Sequence, residues 1–279
     1  MFFSVVNVNA YTGVVFVHGN GDYRETGAVG YWEEDNSLPL TVEAALPSNY
    51  RVFQVACDFS TFLWNEDASI CITKQVNEFV DAFHIDDLII IAHSAGGVNV
   101  RWVLSNPTWH DSFPPFIKKV KKVLSISSPH SGTELADQVL ELYSFPNFVK
   151  WMLGLSTDSL YQFQKNWMNF LNDHWLLGVN QALAYPVPFY TIVATDVVAS
   201  PFLSQSYCSG YRYQAFLKLT QSYFNECSDG YVSCKSQSSG GIFYGYDVNL
   251  TDEGQTLSHV QSAHACFGFE NNILHFIME

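Results

Sequence analysis

The sequence predicts an α/β fold built on a mostly parallel sheet with helices on its faces. Short apolar runs rich in Val, Ile and Phe recur along the chain, lack strict alternation with polar residues, and are bounded by turn residues. Runs of this kind are typical of strands that are covered on both faces. They lie at 13–17, 51–56, 88–92, 120–125 and 189–194.

Helical patterns separate these predicted strands. Val76, Phe79, Val80 and Phe83 are spaced three and four apart, so they share one face of a helix. Strands that alternate with helices predict a parallel sheet with right-handed crossovers. Folds of this class routinely occupy about 280 residues as one unit, so residues 1–279 are expected to form a single domain.

The charge balance excludes one class of partner. The chain has 13 Lys and Arg against 27 Asp and Glu, a formal net charge of -14 at pH 7. Such a surface repels phosphate backbones and anionic membranes, so nucleic acid is not an expected partner. A monomer is expected. No apolar run reaches the ~18 residues that a transmembrane helix requires.

The cysteines bear on the compartment. The six cysteines are Cys57, Cys71, Cys208, Cys227, Cys234 and Cys266. None belongs to a C-x-x-C pair, and the last four follow residue 207. An even number suits disulfides in a secreted or periplasmic protein, which is the expected localisation. The first ten residues lack a basic n-region, so no signal peptide is visible in this chain.

A change of rhythm marks residues 133–185. The sheet-like runs stop, and aromatic-rich helical stretches carry Trp151, Phe163, Trp167 and Trp175. Two interpretations are open. The segment is either ordinary packing onto the core, or a cap or lid whose apolar helices would bind an acyl chain and exclude water.

The sharpest motif surrounds Ser94. A buried strand leads into the turn A-H-S-A-G, and a helix follows it. This is the form of a nucleophile elbow, whose strained backbone leaves space only for small residues two positions before and after the serine. Ala92 and Gly96 meet that requirement. The turn would expose the serine hydroxyl and direct the first amides of the helix towards developing negative charge.

A second motif, H-G-N-G-D, ends the first predicted strand. Glycines at this turn permit a backbone shape that leaves an amide available. We expect the amides of Asn20 and Ala95 to form an oxyanion hole, with His18 in a structural role. A phosphate-binding loop is not expected, because the Lys and Ser/Thr of that motif are missing.

Together these segments resemble the α/β-hydrolase superfamily, in particular bacterial secreted triacylglycerol lipases and their esterase relatives. P-H-S-G-T-E-L-A-D at 129–137 is similar to a segment that follows a core strand in those lipases. D-G-Y-V-S at 229–233 is similar to their segment with the triad aspartate. The family's histidine follows in a loop after a strand, here expected at 242–250 with the loop at 257–264.

The acid and the base each leave an alternative open. The resemblance implies Asp229 as the acid, while Asp196 follows the strand at 189–194 and competes with it. In the chain order Ser, Asp, His, the candidate bases are His259, His264 and His275. His259 occupies the position of the family's base and is preferred, with His264 as the second candidate.

The resemblance implies a Ser-His-Asp hydrolase that cleaves small-molecule or lipid esters and contacts lipid aggregates. Calcium-binding lipases carry an aspartate just after the catalytic histidine, whereas Val260 and Gln261 follow His259, so no metal and no cofactor are expected. H-G-N-G-D also resembles certain extracellular polyhydroxyalkanoate depolymerases, which makes a polyester an alternative substrate. A non-catalytic binding module on the same scaffold is the third interpretation.

Overall fold

A six-stranded parallel sheet with the order β2-β1-β3-β4-β5-β6 forms the centre of the protein. The computed structural model describes residues 10–32, 35–141, 157–179, 185–198, 206–208 and 214–279. The strands are β1 (Tyr11–Val17), β2 (Tyr50–Gln54), β3 (Ile85–His93), β4 (Val120–Ile126), β5 (Phe189–Val193) and β6 (Ile242–Tyr246). The predicted fold class is confirmed.

Helices cover both faces of this sheet. Those in the first half are α1 (Val29–Trp32), α2 (Leu38–Ala45), α3 (Cys71–Phe83), α4 (Ala95–Ser105) and α5 (Phe113–Lys119). Those in the second half are α6 (Glu134–Glu141), α7 (Thr157–Gln162), α8 (Lys165–His174), α9 (Gln214–Gln221), α10 (Cys234–Ser238) and α11 (Phe269–Met278). Among the described residues, no helix is long and apolar enough to span a membrane.

Alternate residues of the central strands supply two separate apolar cores. In β1, Val15 and Val17 pack with α3 and α4, whereas Val14 and Phe16 pack with α2 and α11. Successive strand residues point to opposite faces of a sheet, so a strand covered on both sides must be apolar throughout. This is the physical reason for the continuous apolar runs in the sequence.

Several predictions at the ends of strands and helices differ from the structure. The strand expected at 242–250 ends at Tyr246, where Asp247–Asn249 begins a short 3₁₀ turn. In α3, Val76, Phe79 and Val80 are buried as expected, but Phe83 is 51% exposed. Phe83 is the last residue of the helix, and His84 turns the chain away with a left-handed φ of 52°.

Three disulfides pair all six cysteines, as the even count suggested. They join Cys57 to Cys71, Cys208 to Cys266 and Cys227 to Cys234. The pairings themselves could not be deduced from the sequence, since six cysteines allow 15 connectivities. The second bridge ties residues near Cys208 to the segment just after the predicted base loop.

Candidate active site

Ser94 lies at the sharp turn between β3 and α4. Its backbone has φ 55° and ψ -130°, a combination that is strained for a residue with a side chain. The Ser94 amide donates to the Ile126 carbonyl at 2.9 Å, which ties the turn to the end of β4. Ala95 begins the helix, and the first amides of a helix have no acceptor within it. The turn therefore places the serine at the end of β3, directly beside the first amides of α4.

Gly96 shows why the motif needs a small residue after the serine. A Cβ added there would collide with the His18 carbonyl oxygen and lie 2.8 Å from that of Val17. Both atoms belong to the backbone at the end of β1, so neither can move aside cheaply. The helix thus packs directly against the loop that follows β1.

His259 lies between Ser94 and Asp229. Its Nε2 is 2.9 Å from the Ser94 Oγ, and its Nδ1 is 2.8 Å from Oδ2 of Asp229. Oδ2 of an ionised carboxylate can only accept, so Nδ1 carries the proton and Nε2 accepts from the serine. All three side chains are buried or nearly so. This arrangement can remove a proton from the serine hydroxyl.

The Asp229 carboxylate is held by its own loop. Oδ1 accepts from the amides of Tyr231 at 2.9 Å and Val232 at 2.8 Å. The Asp229 carbonyl also accepts from the His259 amide at 2.9 Å. Asp229 and His259 are therefore connected through the backbone as well as through their side chains.

The two alternative residues lie elsewhere. Asp196 is 43% exposed and contacts Lys218 at 3.2 Å and Gln221 at 2.8 Å. His264 bonds the Val260 carbonyl at 2.8 Å through Nδ1, and its ring stacks on that of Tyr207. His275 pairs with Glu279 on the surface of α11. The structure brings none of these three to Ser94.

The loop after β1 is fixed by His18. Its Nε2 accepts from the Cys57 amide at 3.1 Å, so the proton resides on Nδ1, which donates to the Gly19 carbonyl at 2.7 Å. Burial lowers the pKa of His18 to about 4, which keeps the ring neutral. Since the carbonyl and N–H of a trans peptide point in opposite directions, the bond to Gly19 also orients the Asn20 amide.

Gly19 lies directly against Ser94. A Cβ added there would lie 2.8 Å from the Cβ of Ser94 and collide with the Tyr31 hydroxyl. The loop that carries Asn20 and the turn that carries Ala95 therefore meet at Ser94. The roles of these two amides as oxyanion donors stay a prediction.

Two further residues at the site were not given a role by the sequence. Tyr31, which is partly buried, and His93, which is buried, form a hydrogen-bonded pair next to His259, whose ring is 4.8 Å from that of His93. His93 stands inside the A-H-S-A-G motif, which is a local signal. Tyr31 has no such signal, because only the folded chain brings α1 to the end of β3.

The helical segment after β4 is anchored by Arg101. This fully buried guanidinium donates to Oδ1 of Asn172 at 2.7 Å, to the His130 carbonyl at 3.1 Å and to the Leu177 carbonyl at 2.7 Å. Described parts of 133–185 are thus hydrogen-bonded to α4, the helix that begins directly after Ser94. Trp151 lies outside the described residues.

Comparison with solved structures shows the fold. A lipase from Bacillus licheniformis in its mature form matches with a TM-score of 0.67 at 16% identity, over 96% of this chain and 92% of that one. Lipase 1 from Pelosinus fermentans matches with a TM-score of 0.61 at 15% identity, over 96% and 98%. A metagenomic carboxyl esterase matches with a TM-score of 0.59 at 17% identity, over 96% and 75%.

The chain therefore has the α/β-hydrolase fold that these lipases and esterases share. No family model matches the sequence, and a search of curated proteins found no similar sequence.

Proposed function

We propose that this chain is a serine carboxylic ester hydrolase of the lipase or carboxylesterase type. The observation that carries the proposal is the position of His259, within hydrogen-bond distance of both Ser94 and Asp229. These three residues are far apart in the sequence and belong to three separate loops of one sheet edge. An arrangement of this kind is recognised by its geometry and roles rather than by sequence position.

The proposed reaction is acyl transfer in two steps. His259 Nε2 takes the proton of the Ser94 hydroxyl while Oγ attacks the ester carbonyl. The tetrahedral intermediate collapses, and the same proton passes to the leaving alcohol. A water molecule, deprotonated by His259, then attacks the acyl-enzyme. The second tetrahedral intermediate collapses, the carboxylic acid leaves, and His259 returns the proton to the Ser94 Oγ. Asp229 holds the histidine tautomer and stabilises the imidazolium.

The oxyanion would be stabilised by the amides of Asn20 and Ala95. His18 orients the first, since it holds the carbonyl of the same peptide group. The dipole of α4 favours negative charge at the second. A preorganised donor of this kind contributes about 3 kcal/mol to the transition state.

We further propose that residues 133–185 act as a cap that binds the acyl part of the substrate. The exposed aromatic side chains of Trp167, Phe170 and Trp175 support an apolar surface on this segment. The three disulfides support a secreted or periplasmic protein, because such bonds persist in oxidising compartments. Small-molecule or lipid esters are the proposed substrates.

The test is hydrolysis of p-nitrophenyl esters from acetyl to palmitoyl by the wild type, Ser94→Ala and Ser222→Ala. Ser222 lies in an exposed turn after α9 and serves as the matched control. We expect activity in the wild type and the control and none in Ser94→Ala, and the chain-length profile separates a lipase from an esterase. A wild type that is inert to every ester would instead favour a polyester substrate or a binding module.

A further inference from the structure

A series of buried and partly buried hydrogen bonds runs behind the proposed triad, and it begins at the loop after β1. The Gly19 amide donates to the Tyr31 hydroxyl, which in turn contacts Nδ1 of His93. Burial raises the pKa of Tyr31 well above its usual value, so this hydroxyl keeps its proton and can donate it. Only a glycine at position 19 allows so close an approach.

The second nitrogen of His93 reaches the loop of the proposed base. Its Nε2 is 3.1 Å from the His259 carbonyl oxygen and 3.0 Å from the Ser262 Oγ. A carbonyl oxygen can only accept, so Nε2 carries the proton. Burial first, and the nearby His259 second, lower the pKa of His93 well below its usual value, so the ring is neutral. Its Nδ1 must then accept from Tyr31.

The hydrogen bonds therefore all point in one direction, with each donor followed by its acceptor, from the Gly19 amide through Tyr31 and His93 to the His259 carbonyl. Ser262 reinforces the far end, since its hydroxyl also donates to the His259 carbonyl at 2.9 Å. The His259 amide is bonded to the Asp229 carbonyl. Both backbone groups of the proposed base are thus fixed, which leaves only its side-chain rotation to align Nε2 with Ser94.

We propose that Tyr31 and His93 are positioning residues that hold the oxyanion loop and the base loop at one fixed separation. This inference rests on the proposed serine hydrolase function. The pair acts through Gly19 and His259: one end orients the loop of the Asn20 donor, and the other sets the height of the imidazole above Ser94. Catalysis depends steeply on such placement, since a shift of about 1 Å can cost about 100-fold in rate.

Tyr31→Phe tests the first link. The variant keeps the ring and removes the hydroxyl. Titration of the active sites with a serine-directed phosphonate allows kcat to be expressed per functional site. We expect kcat to fall by about 10- to 100-fold while KM changes by less than about twofold, because uniform substrate binding is not affected. A merely structural role would lower the number of sites or the melting temperature and leave kcat per site unchanged.

Tyr244→Phe is the matched control. Tyr244 is partly buried on β6 and packs edge-on against Phe276, away from Ser94. It should retain the wild-type kcat per site. A loss in Tyr244→Phe equal to that in Tyr31→Phe would overturn the assignment.

A double-mutant cycle tests whether the two side chains act as one unit. His93→Phe removes both ring nitrogens and keeps a planar ring at the same place. If Tyr31 and His93 act only through the hydrogen bond that joins them, the double variant Tyr31→Phe/His93→Phe should have a kcat within about twofold of the slower single variant. Losses that multiply would show two independent effects and would contradict the proposal.

A second measurement tests the hydrogen bonds of His93 without any enzyme turnover. In protein labelled with ¹⁵N at histidine, His93 should remain the neutral Nε2–H tautomer at pH 6.5, where an ordinary imidazole is half protonated. Tyr31→Phe should change its Nδ1 shift. A protonated ring or the Nδ1–H tautomer would overturn the proposal. The expected spectrum together with a wild type that hydrolyses no ester would instead count against the proposed function alone.

Discussion

His259 Nδ1 lies 2.8 Å from Oδ2 of Asp229, a residue 30 positions earlier in the chain, although Asp196 follows the end of a sheet strand more closely. The D-G-x-V-S loop between β5 and β6 thus supplies the carboxylate, and its amides of Tyr231 and Val232 hold it in place. Of the two candidate acids, Asp229 lies next to His259 and Asp196 contacts Lys218. Mutagenesis can test which of the two supports activity.

Asp229→Asn should lower kcat by about 10⁴-fold, because the amide favours the wrong histidine tautomer. Asp196→Asn is the matched control and should leave kcat unchanged, since its carboxylate faces Lys218 on the surface. Steady-state kinetics on one ester, with circular dichroism to verify folding, measure both. A large loss in Asp196→Asn with little in Asp229→Asn would reverse the assignment.

Stability should fall as the pH falls from about 6.5 to about 4, in part because of His18. The buried ring resists protonation until about pH 4, whereas the unfolded chain takes up the proton near 6.5, so acid favours unfolding across that window. Between pH 6.5 and pH 4, protonation of His18 in the unfolded chain should lower the free energy of unfolding by about 3 kcal/mol. His93 and His130 act in the same direction, since burial lowers their pKa values too.

Urea unfolding at several pH values checks this expectation. His18→Gln should be less stable at pH 7 and should show a shallower loss of stability towards pH 4 than the wild type. Equal slopes for the two proteins would mean that His18 does not carry the effect.

Loss of the disulfides should cost stability in proportion to the loops that they close. Cys208 and Cys266 are 58 residues apart, and Cys57 and Cys71 are 14 apart. The chain-entropy relation gives about 4 kcal/mol for the first bridge and about 3 kcal/mol for the second. Denaturant unfolding of the two double Cys→Ser variants measures the difference. A larger loss for the shorter loop would show that local contacts outweigh loop closure.

Asp247 holds the beginning of the loop that carries His259 through hydrogen bonds. Its carboxylate accepts from the Leu257 amide at 2.6 Å and from the amide and hydroxyl of Thr195 at 2.8 and 2.7 Å. Asp247→Asn would present an NH₂ group to some of these donors, so we expect a loss of about 1 to 3 kcal/mol in the free energy of unfolding. Asp86→Asn, at an exposed position of β3, should change it by less than about 0.5 kcal/mol. Similar values for both variants would contradict this view.

The sequence was sufficient where local chemistry decides the structure. The elbow around Ser94 needs small neighbours and a strand and helix on either side, and all of these can be read directly from the chain. The same holds for β1, β3 and β4, because burial on both faces requires continuous apolar runs. The sheet order and the elbow then bring the loops of His18, Ser94 and His259 to one edge.

The sequence was insufficient where distant segments decide. Cysteine pairing depends on which loops meet in three dimensions, and the contact of Tyr31 with His93 depends on the packing of α1 against the sheet edge. The D-G-x-V-S segment favoured Asp229 over Asp196, but the sequence alone could not decide between them, because Asp196 also follows a predicted strand. Only coordinates show that Asp196 is directed towards Lys218.

Covalent trapping shows whether Ser94 is the nucleophile. Wild type and Ser94→Ala would be treated with a fluorophosphonate and analysed by intact and peptide mass spectrometry, with urea-unfolded wild type as a control for nonspecific reaction. We expect one adduct per folded molecule, located on Ser94, and none in Ser94→Ala or in the unfolded chain. An adduct on another residue, or no adduct on the folded wild type, would mean that Ser94 is not the nucleophile.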